Sequence, residues 1–311
     1  MTLRWHSEFT SVHASVGSVV GYLGRTEPLT EIKLNGEYED MMNRRWLMQA
    51  AVAGCTVIAA LASILTASAS TLDDVKARGK LIVGVRYDTA PYGYLDEASK
   101  VVGFDIDLAN AIAKRLGVTA EFVQVTAKTR IPMLQSGKVD LLAAALTHTR
   151  EREQVIDFST TYVVDGSKLL VKKGSDIKRI DDVNKEGKTI ACIQGSMDEV
   201  NARRLAPKAK ILDYQEYPQA FLAVKQGLAD AMTTVVSTLD RFAKQDSSVE
   251  VVGGFLNNQP IAFGVRPDDS KWRNEVNGAL QDIVEDGTYK TIYAKYFSTP
   301  YEQLPEVWPR N

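Results

Sequence analysis

The chain has 311 residues, 45% of them hydrophobic, and its 37 Lys and Arg residues nearly balance its 39 Asp and Glu residues, for a formal net charge of −2. No basic block indicates a nucleic-acid partner, and no polybasic face indicates a membrane surface. The length is sufficient for two modest lobes or one large domain stabilised by core burial.

An apolar segment follows the first forty residues of the chain. Residues 42–45 are Met-Asn-Arg-Arg, an apolar run extends from Trp46 to Leu65, and Ala67-Ser68-Ala69 comes after it. A short basic segment, an apolar core and a small-x-small ending are typical of a secretory signal peptide. We therefore expect residues 42–69 to be a signal peptide that is cleaved after Ala69, which predicts a periplasmic protein.

A signal peptide begins at the initiator methionine, so we expect translation to start at Met41 or Met42 rather than at Met1. Residues 1–41 would then be untranslated or unstructured. Two alternatives stay open. The apolar run is just long enough to be an internal transmembrane helix, and Val52-Ala53-Gly54-Cys55 resembles a lipoprotein box that would anchor the protein through Cys55.

Cleavage after Ala69 leaves Cys192 as the remaining cysteine, so we expect no intramolecular disulfide. Cys192 lies between Ala191 and Ile193 in an apolar run. We expect it to be a small buried residue of a strand rather than a nucleophile, which would require a polar, electropositive setting.

From Gly79 onward, the chain alternates between strand and helix patterns. Leu81–Val85 is a continuous apolar run, as in a strand buried on both faces, and apolar residues recur at helical spacing from Phe104 to Leu116, before Gly117. The other predicted elements are strand 120–125, helix 131–135, strand 189–193, helix 196–205, strand 211–214, helix 218–225, strand 231–235, a return through 260–265 and a long helix around 274–285. This alternation predicts an α/β fold with mostly parallel sheets.

Two seven-residue segments repeat one local pattern. Leu134–Asp140 and Val224–Asp230, about ninety residues apart, each contain a helix end, a glycine cap and an aspartate before a strand. Such joints are common in α/β proteins, but the repeat favours two similar lobes. A ligand would then lie in the crevice between the lobes, at the carboxyl ends of the strands.

Seven sequence blocks occur in order between about Leu72 and Phe297. They are Gly84-x-Arg86-x-x-x-x-Pro91-Tyr92-x-Tyr94, Gly103-Phe104-Asp105-Ile106-Asp107-Leu108-Ala109, Leu134-x-Ser136-Gly137-Lys138-Val139-Asp140, Thr149-x-x-Arg152, Asp157-Phe158-Ser159-x-x-Tyr162, Gln194-Gly195-Ser196 and Gly227-x-x-Asp230-Ala231. With these blocks the chain resembles the periplasmic solute-binding proteins of amino-acid ABC importers (bacterial extracellular solute-binding protein family 3). Val83-Gly84-x-Arg86 and Val125-Thr126-x-x-x-Arg130-Ile131-Pro132 most resemble the glutamate/aspartate-binding group.

The resemblance implies a type II periplasmic-binding-protein fold, in which two lobes joined by two hinge strands close around one ligand. Lobe one would comprise about 71–163 plus 262–311 and lobe two about 168–257, with hinges near 164–166 and 258–260. The implied function is the capture of glutamate or aspartate by lobe closure and its delivery to ABC permease subunits in the membrane. A monomer without cofactor, metal or nucleic acid is expected.

Arg152 is the first candidate for binding the ligand. In relatives its counterpart pairs with the ligand α-carboxylate, and a planar guanidinium can make two parallel charge-assisted bonds to such a group. Residues 149–151 look like the start of a short helix, whose free N–H groups also favour an anion. Without the motif, an arginine in this charged run would be expected on a solvated helix face, and we expect that of Arg150.

Arg86 and Arg130 follow predicted strands, where clefts form in α/β proteins. Charges in such positions are otherwise commonly found at the rim of a sheet. Three arginines around one low-dielectric cleft repel one another, so the arrangement favours a ligand with two negative charges. We therefore expect Arg86 and Arg130 to hold a second, side-chain carboxylate.

The resemblance adds five further ligand-binding candidates. Thr147 would offer a hydroxyl and an N–H to the carboxylate, and Ala145 a backbone carbonyl to the ammonium. Tyr92 would form a wall of the pocket or, alternatively, belong to the core of lobe one. Ser196 would contact the ligand or serve only as a helix N-cap. Tyr217 occupies a contact position of lobe two, with a side chain that differs from those of relatives.

One position departs from the resemblance. Relatives usually carry an ammonium-binding aspartate five residues after the counterpart of Asp230, where this chain has Val235. Either carbonyls and an aromatic face hold the ammonium, or the ligand has none. Another polar amino acid and an amine-free dicarboxylate therefore stay as alternatives.

A dehydratase-type enzyme on the same fold is the alternative from another class of protein. It would need a general acid or base in the cleft, for which Asp88 and Glu216 are the best candidates, although neither belongs to a recognised motif. The sequence shows no metal-ligand cluster, no Gly-x-Ser-x-Gly elbow and no phosphate loop. We therefore expect a binding protein rather than an enzyme.

Overall fold

The computed structural model of the protein describes residues 70–298. The predicted translation start, the signal peptide and Cys55 lie outside these residues. Within them, no helix is both long enough and apolar enough to cross a membrane.

The described residues form eleven strands, nine α-helices and one 3₁₀ helix, which spans Arg152–Gln154. The strands are β1 (Lys80–Val85), β2 (Asp88–Thr89), β3 (Gly93–Leu95), β4 (Val101–Val102), β5 (Thr119–Gln124), β6 (Leu141–Ala143), β7 (Asp157–Lys172), β8 (Thr189–Ile193), β9 (Lys210–Tyr214), β10 (Ala231–Val235) and β11 (Val249–Val265). The helices are α1 (Thr71–Arg78), α2 (Phe104–Leu116), α3 (Arg130–Gln135), α4 (Ile180–Val183), α5 (Met197–Leu205), α6 (Tyr217–Gln226), α7 (Val236–Gln245), α8 (Ser270–Glu285) and α9 (Thr288–Tyr296).

Eight strands form one sheet in the order β5-β1-β6-β11-β7-β10-β8-β9, and β2, β3 and β4 form a small second sheet. β1 is parallel to β5 and β6, and β8 is parallel to β9 and β10. β7 and β11 lie between these two parallel sets and pair antiparallel with one another. The sheet is thus parallel at both ends, as predicted, but antiparallel in the centre, because β7 leads from the first set to the second and β11 leads back.

The two predicted hinge segments lie side by side within β7 and β11. Asp165 pairs with Gln259 and Gly166 with Asn258, and the register shifts between Val252 and Asn257. The two parallel sets are therefore connected here by two neighbouring backbone crossings.

Helices cover both faces of each parallel set, which gives each set its own layered core. In the first set, α2 and α8 bury Phe104 and Trp272 on one face, while α3 buries Leu134 on the other. In the second set, side chains that alternate along β8 pack into two clusters: Ala191 and Ile193 in one, Ile190 and Cys192 in the other. Cys192 is buried, as predicted, and burial raises the pKa of its thiol.

Candidate ligand-binding site

A small cavity of about 20 Å³ lies where the two parallel sets face one another. The residues that line it are Arg86, Thr89, Arg130, Ala145, Thr147, Ser196, Met197, Asp198, Tyr217, Val235 and Gln259. They include six of the eight predicted ligand-binding residues and the divergent Val235. Most of them follow the carboxyl ends of parallel strands, which is the usual place for a site in an α/β sheet.

Arg86 follows β1 and is neutralised by a carboxylate of the protein itself. Its Nε donates to Asp88 Oδ1 (2.8 Å) and its Nη2 to Asp88 Oδ2 (2.6 Å), in a pair that is almost fully buried. Asp88 Oδ2 also accepts the backbone N–H of Tyr217 (3.0 Å), and the guanidinium of Arg86 lies 5.4 Å from the centre of the Tyr217 ring. Arg86 therefore lines the cavity, as expected, but its charge is already compensated by Asp88 and does not require a ligand carboxylate.

Arg130 is the first residue of α3, and its guanidinium is buried without a carboxylate partner among the described residues. Its Nη1 donates to the carbonyls of Ala144 (2.6 Å) and Ala145 (3.3 Å), and its buried Nε has no hydrogen-bond partner. Burial, followed by the charges of Arg152 and Arg86, lowers the pKa of Arg130. A group in this state favours a negatively charged ligand, because a buried donor without an acceptor is costly.

The backbone at Ala145 is in the left-handed region, with φ 46°, which is unusual for a residue other than glycine. The N–H of Ala145 donates to Asp105 Oδ2 (2.7 Å), and Asp105 Oδ1 accepts the hydroxyl of Tyr162 (2.8 Å). Burial raises the pKa of Asp105 to about 6. Asp105, on α2, thus holds the loop that carries Ala145 and Thr147 into the cavity.

A chain of buried hydrogen bonds crosses the cavity wall. The Thr147 hydroxyl donates to Gln259 Oε1, and Gln259 Nε2 donates to Asp198 Oδ1 (2.7 Å) and to Ser167 Oγ (2.6 Å). The Ser167 hydroxyl also bonds Asp198 Oδ1. Burial raises the pKa of Asp198. Residues from the first set, from both crossings and from α5 are thereby joined in one network.

Arg152 lies beside the cavity rather than among the residues that line it. Its Nη1 donates to the carbonyl of Thr147 (2.7 Å) and its Nη2 to the carbonyl of Gly195 (3.4 Å), so the side chain bridges the two sides. The predicted start of a helix at residues 149–151 is a turn that leads into the 3₁₀ helix beginning at Arg152. Burial lowers the pKa of Arg152.

Ser196 and Tyr217 approach the cavity from the second set. Ser196 is the N-cap of α5, where its Oγ accepts the N–H of Glu199 (3.0 Å), and it lines the cavity as well. Tyr217 is the first residue of α6, and Val235 is the last residue of β10. The N-termini of α5 and α6 and the end of β10, all in the second set, thus line the same cavity as Arg86 and Arg130 of the first set.

Tyr92 does not line this cavity. It is fully buried, its ring packs edge-on against Phe104 and Phe297, and its hydroxyl donates to Asp165 Oδ2 (2.8 Å). It borders a larger cavity of about 350 Å³ beside the two crossings, which Arg86, Arg130 and Arg152 do not line. The alternative that places Tyr92 in the core therefore describes its position, and the smaller cavity, with its convergent polar groups, is the better candidate site.

Sequence reasoning did not place Thr89, Met197, Asp198 or Gln259 in the site. Asp198 is in the first turn of α5, where an acidic residue is ordinary because it favours the helix dipole. Gln259 lies in a crossing that was predicted only as a connection. Asp88, a candidate acid or base from the sequence, forms an ion pair with Arg86, and its position two residues after Arg86 is the sequence signal for that pair.

The fold and the site together define a class of protein: two α/β lobes, joined by two strands, with a small polar cavity between them. Residues 81–299 match the family model of the bacterial extracellular solute-binding proteins, family 3, and the chain belongs to this family. This match confirms the predicted family, and the likeness of the chain to solved amino-acid-binding proteins confirms the predicted two-lobed type II fold. The protein is accordingly the substrate-binding component of an amino-acid ABC importer.

Relatives named for different amino acids, and one solved structure, are similar to the chain. The ABC transporter glutamine-binding protein GlnH of Bacillus subtilis (strain 168) is 38% identical over 73% of this chain and 84% of its own length. The glutamate/aspartate import solute-binding protein of Escherichia coli (strain K12) is 29% identical over 75% of this chain and 82% of its own length. The crystal structure of the ancestral amino-acid-binding protein AncCDT-1, a precursor of cyclohexadienyl dehydratase, is 40% identical, with a TM-score of 0.70, and the match covers 74% of this chain and all of that one.

Proposed function

We propose that the protein captures an acidic L-amino acid, glutamate or aspartate, for import. The observation that carries this proposal is the state of Arg130: a buried guanidinium whose Nε has no partner and which lacks a carboxylate among the described residues. A side-chain carboxylate of the ligand would supply the acceptor and the charge. Arg86 already has Asp88 as its partner, so the second carboxylate belongs to Arg130 rather than to both arginines.

The α-carboxylate is assigned to Arg152, together with Thr147 and Ser196. Arg152 lies next to the cavity and contacts Thr147 on one side and Gly195 on the other. A ligand carboxylate that replaces these two carbonyl contacts would be held bidentately, with the stronger charge-assisted bonds that a carboxylate offers. Ser196 offers its hydroxyl from the opposite side of the cavity.

Glutamine is the second candidate ligand, because the relatives that bind it share more residues with this chain than the glutamate/aspartate-binding relative does. The side-chain amide of glutamine can accept a hydrogen bond from Arg130, but it leaves the charge of the Arg130 guanidinium uncompensated. The two candidates therefore differ in charge at one position of the ligand.

A competition series with glutamate, glutamine, 2-oxoglutarate and glutarate, measured by calorimetry on refolded protein, tests the proposal. Breaking a buried charge pair costs roughly 2–5 kcal/mol, so glutamate should bind about a thousandfold more tightly than glutamine, corresponding to ~4 kcal/mol. Arg130→Met should remove most of this preference, and Arg152→Met should abolish the binding of both ligands. Equal binding of glutamine and glutamate by the unaltered protein would contradict the proposal.

Arg266→Met is the matched control for Arg130→Met. Arg266 is partly buried and donates to the carbonyl of Val139 and the hydroxyl of Thr71, and none of these three residues lines the cavity. This variant should lose stability without any change in the ratio of glutamate to glutamine affinity.

We further propose binding without catalysis. Asp88 is paired with Arg86, and Glu216 caps the N-terminus of α6, which speaks against both candidate acids or bases. The similarity to a precursor of a dehydratase and the raised pKa of Asp198 keep an enzyme as the alternative. NMR of the ligand after prolonged incubation with the protein should show the ligand unchanged.

We also propose export with cleavage after Ala69, and lobes at about 71–163 plus 262–311 and 168–257. Helix α1 begins at Thr71, and Ser70 is its N-cap, with a hydroxyl that donates to Asp269 Oδ1 (2.8 Å). Cleavage at this site would leave the N-cap in place, which supports the proposal. Sequencing of the exported protein should return Ser-Thr-Leu as its N-terminus, and retention of residues 1–40 or a lipid on Cys55 would contradict it.

A further inference from the structure

The structure leaves the ligand ammonium without the partners that the sequence suggested. Val235 lines the cavity but has no polar side chain. The carbonyl of Ala145 already accepts from Arg130 Nη1 (3.3 Å), and the ring of Tyr217 already faces the guanidinium of Arg86 (5.4 Å). A second cation at either place would lie against an arginine, which electrostatic repulsion disfavours.

Asp198 is the acidic residue among the described residues that line the cavity. Its side chain is almost fully buried; Ser167 and Gln259 donate to its Oδ1, and the Thr234 hydroxyl is a further neutral donor beside it. A carboxylate has about four acceptor sites on its two oxygens, so Asp198 can accept a further donor. The charge of Arg152 acts on Asp198 from nearby, but no described cation donates a hydrogen bond to this carboxylate. A buried carboxylate whose bonded donors are neutral is stabilised by a directly bonded cation.

We infer that Asp198 binds the ligand ammonium in this protein, in place of the aspartate that Val235 replaces. The inference deepens the proposed function, and the one premise that it takes from that proposal is that the ligand is an amino acid. It does not require an acidic side chain.

The hydrogen-bond network fits this assignment. The α-carboxylate and the α-ammonium of an amino acid are attached to one carbon atom, so their two partners must lie close together. Thr147, assigned to the carboxylate, and Asp198 are linked through the single side chain of Gln259 by two consecutive hydrogen bonds. Asp198 belongs to α5 on one side of the cavity and Thr147 to the other, so a ligand held by both would join the two sides.

The test compares the binding of glutamate and glutarate, its amine-free analogue, to the unaltered protein and to Asp198→Asn. Removing the charged partner of a buried ammonium should weaken glutamate binding by about thirtyfold or more, whereas glutarate should bind within about threefold of its original affinity. The double variant Asp198→Asn with Val235→Asp should recover much of the loss for glutamate, because it returns a carboxylate to the same cavity.

Two controls make the result unambiguous. Asp140→Asn removes another buried aspartate, which accepts from Ile82 N and Arg78 in the first set, and should not alter the ratio of glutamate to glutarate affinity. If Asp198→Asn does not fold, Asp198→Glu keeps the charge and should keep a preference for glutamate over glutarate.

The inference is overturned if Asp198→Asn weakens glutamate and glutarate equally, since Asp198 would then only position Gln259. It is also overturned if Asp198→Glu binds glutarate as well as glutamate. Failure of the proposed function would give a different result: the unaltered protein would bind glutamine and glutamate with equal affinity. The role of Asp198 would then be measured with glutamine and its amine-free analogue, glutaramate.

Discussion

At the scale of single residues, Asp105 supports the site without lining it. Its carboxylate accepts from Ala145 N and from the Tyr162 hydroxyl, and it is fully buried. The two bonds favour the charged form, but burial outweighs them and raises the pKa of Asp105 from 3.8 to about 6. The loop that carries Ala145 and Thr147 is therefore held by a carboxyl group that titrates just below neutral pH.

This raised pKa predicts a pH dependence of stability. The folded protein binds the proton of Asp105 more tightly than the unfolded chain does, so the contribution to stability is full below about pH 3.8 and is lost as the pH rises through about 6. Between about pH 4.5 and about pH 7, the loss should be about 2 kcal/mol. Urea unfolding should show it as a difference in pH slope between the unaltered protein and Asp105→Asn.

Other groups titrate in both proteins, so their contributions cancel in that difference. Parallel pH profiles for the two proteins would contradict the prediction. If Asp105→Asn does not fold, an NMR titration of the Asp105 carboxyl in the unaltered protein measures the same raised pKa directly.

At the scale of elements, hydrophobic period predicted the parts of the fold that lie within one core. The strand 189–193, the helix that ends before Gly117 and the strand 231–235 have the predicted bounds. Of β7, only the hinge near 164–166 was expected, from the family resemblance, and of β11 only residues 258–265. Each strand runs through two cores and the polar stretch between them, and so carries no single burial pattern. The small sheet of β2, β3 and β4 has strands of two or three residues, too short to show a period.

The sequence predicted which residues meet at the cavity better than it predicted their hydrogen-bond and ion-pair partners. Arg86, Arg130, Thr147, Ser196 and Tyr217 follow strand ends and meet at one cavity. Which arginine stays uncompensated is decided by side-chain geometry across the fold, as in the ion pair of Arg86 with Asp88. Such contacts depend on the relative position of distant segments, which local sequence patterns do not specify.

Gly195 provides a test of the contact between elements. It follows β8 with φ +80°, and a Cβ at this position would lie 3.0 Å from Lys128 Cα and 3.1 Å from Lys128 N, on the loop after β5. Gly195→Ala should therefore hinder the approach of the two sides and weaken ligand binding by about tenfold or more, about 1.4 kcal/mol. Titration calorimetry with glutamate measures the change.

Gly174→Ala is the matched control for backbone strain. Gly174 also has φ +80°, but nothing lies within 4 Å of a Cβ added there. Both variants should lose about 1–2 kcal/mol of stability from the left-handed backbone, and only Gly195→Ala should lose affinity. Equal affinities of the two variants would show that the Lys128 contact does not limit closure.

At the scale of the whole molecule, the described contacts correspond to a closed arrangement. Arg152 reaches Gly195, and Asp88 accepts from Tyr217 N, so hydrogen bonds join the first parallel set to the second on two sides of the cavity. A volume of about 20 Å³ has room for little more than one water molecule. A rigid closed molecule therefore cannot admit an amino acid. Separation of the two sides would admit it, and the two neighbouring crossings of β7 and β11 are where such a motion can be absorbed.

Closure should therefore be the working step of the protein. A ligand that bridges Arg152 and Thr147 on one side and Ser196 on the other binds the closed state more tightly than the open one and shifts the population toward it. Small-angle X-ray scattering should show a predominantly open protein without ligand and a smaller radius of gyration at saturating glutamate. Arg152→Met, which should not bind, serves as the control and should stay open in both samples. An unchanged radius in the unaltered protein, at a glutamate concentration that calorimetry shows to be saturating, would mean that the two sets do not separate, and entry of the ligand would then require local motion of the side chains around the cavity.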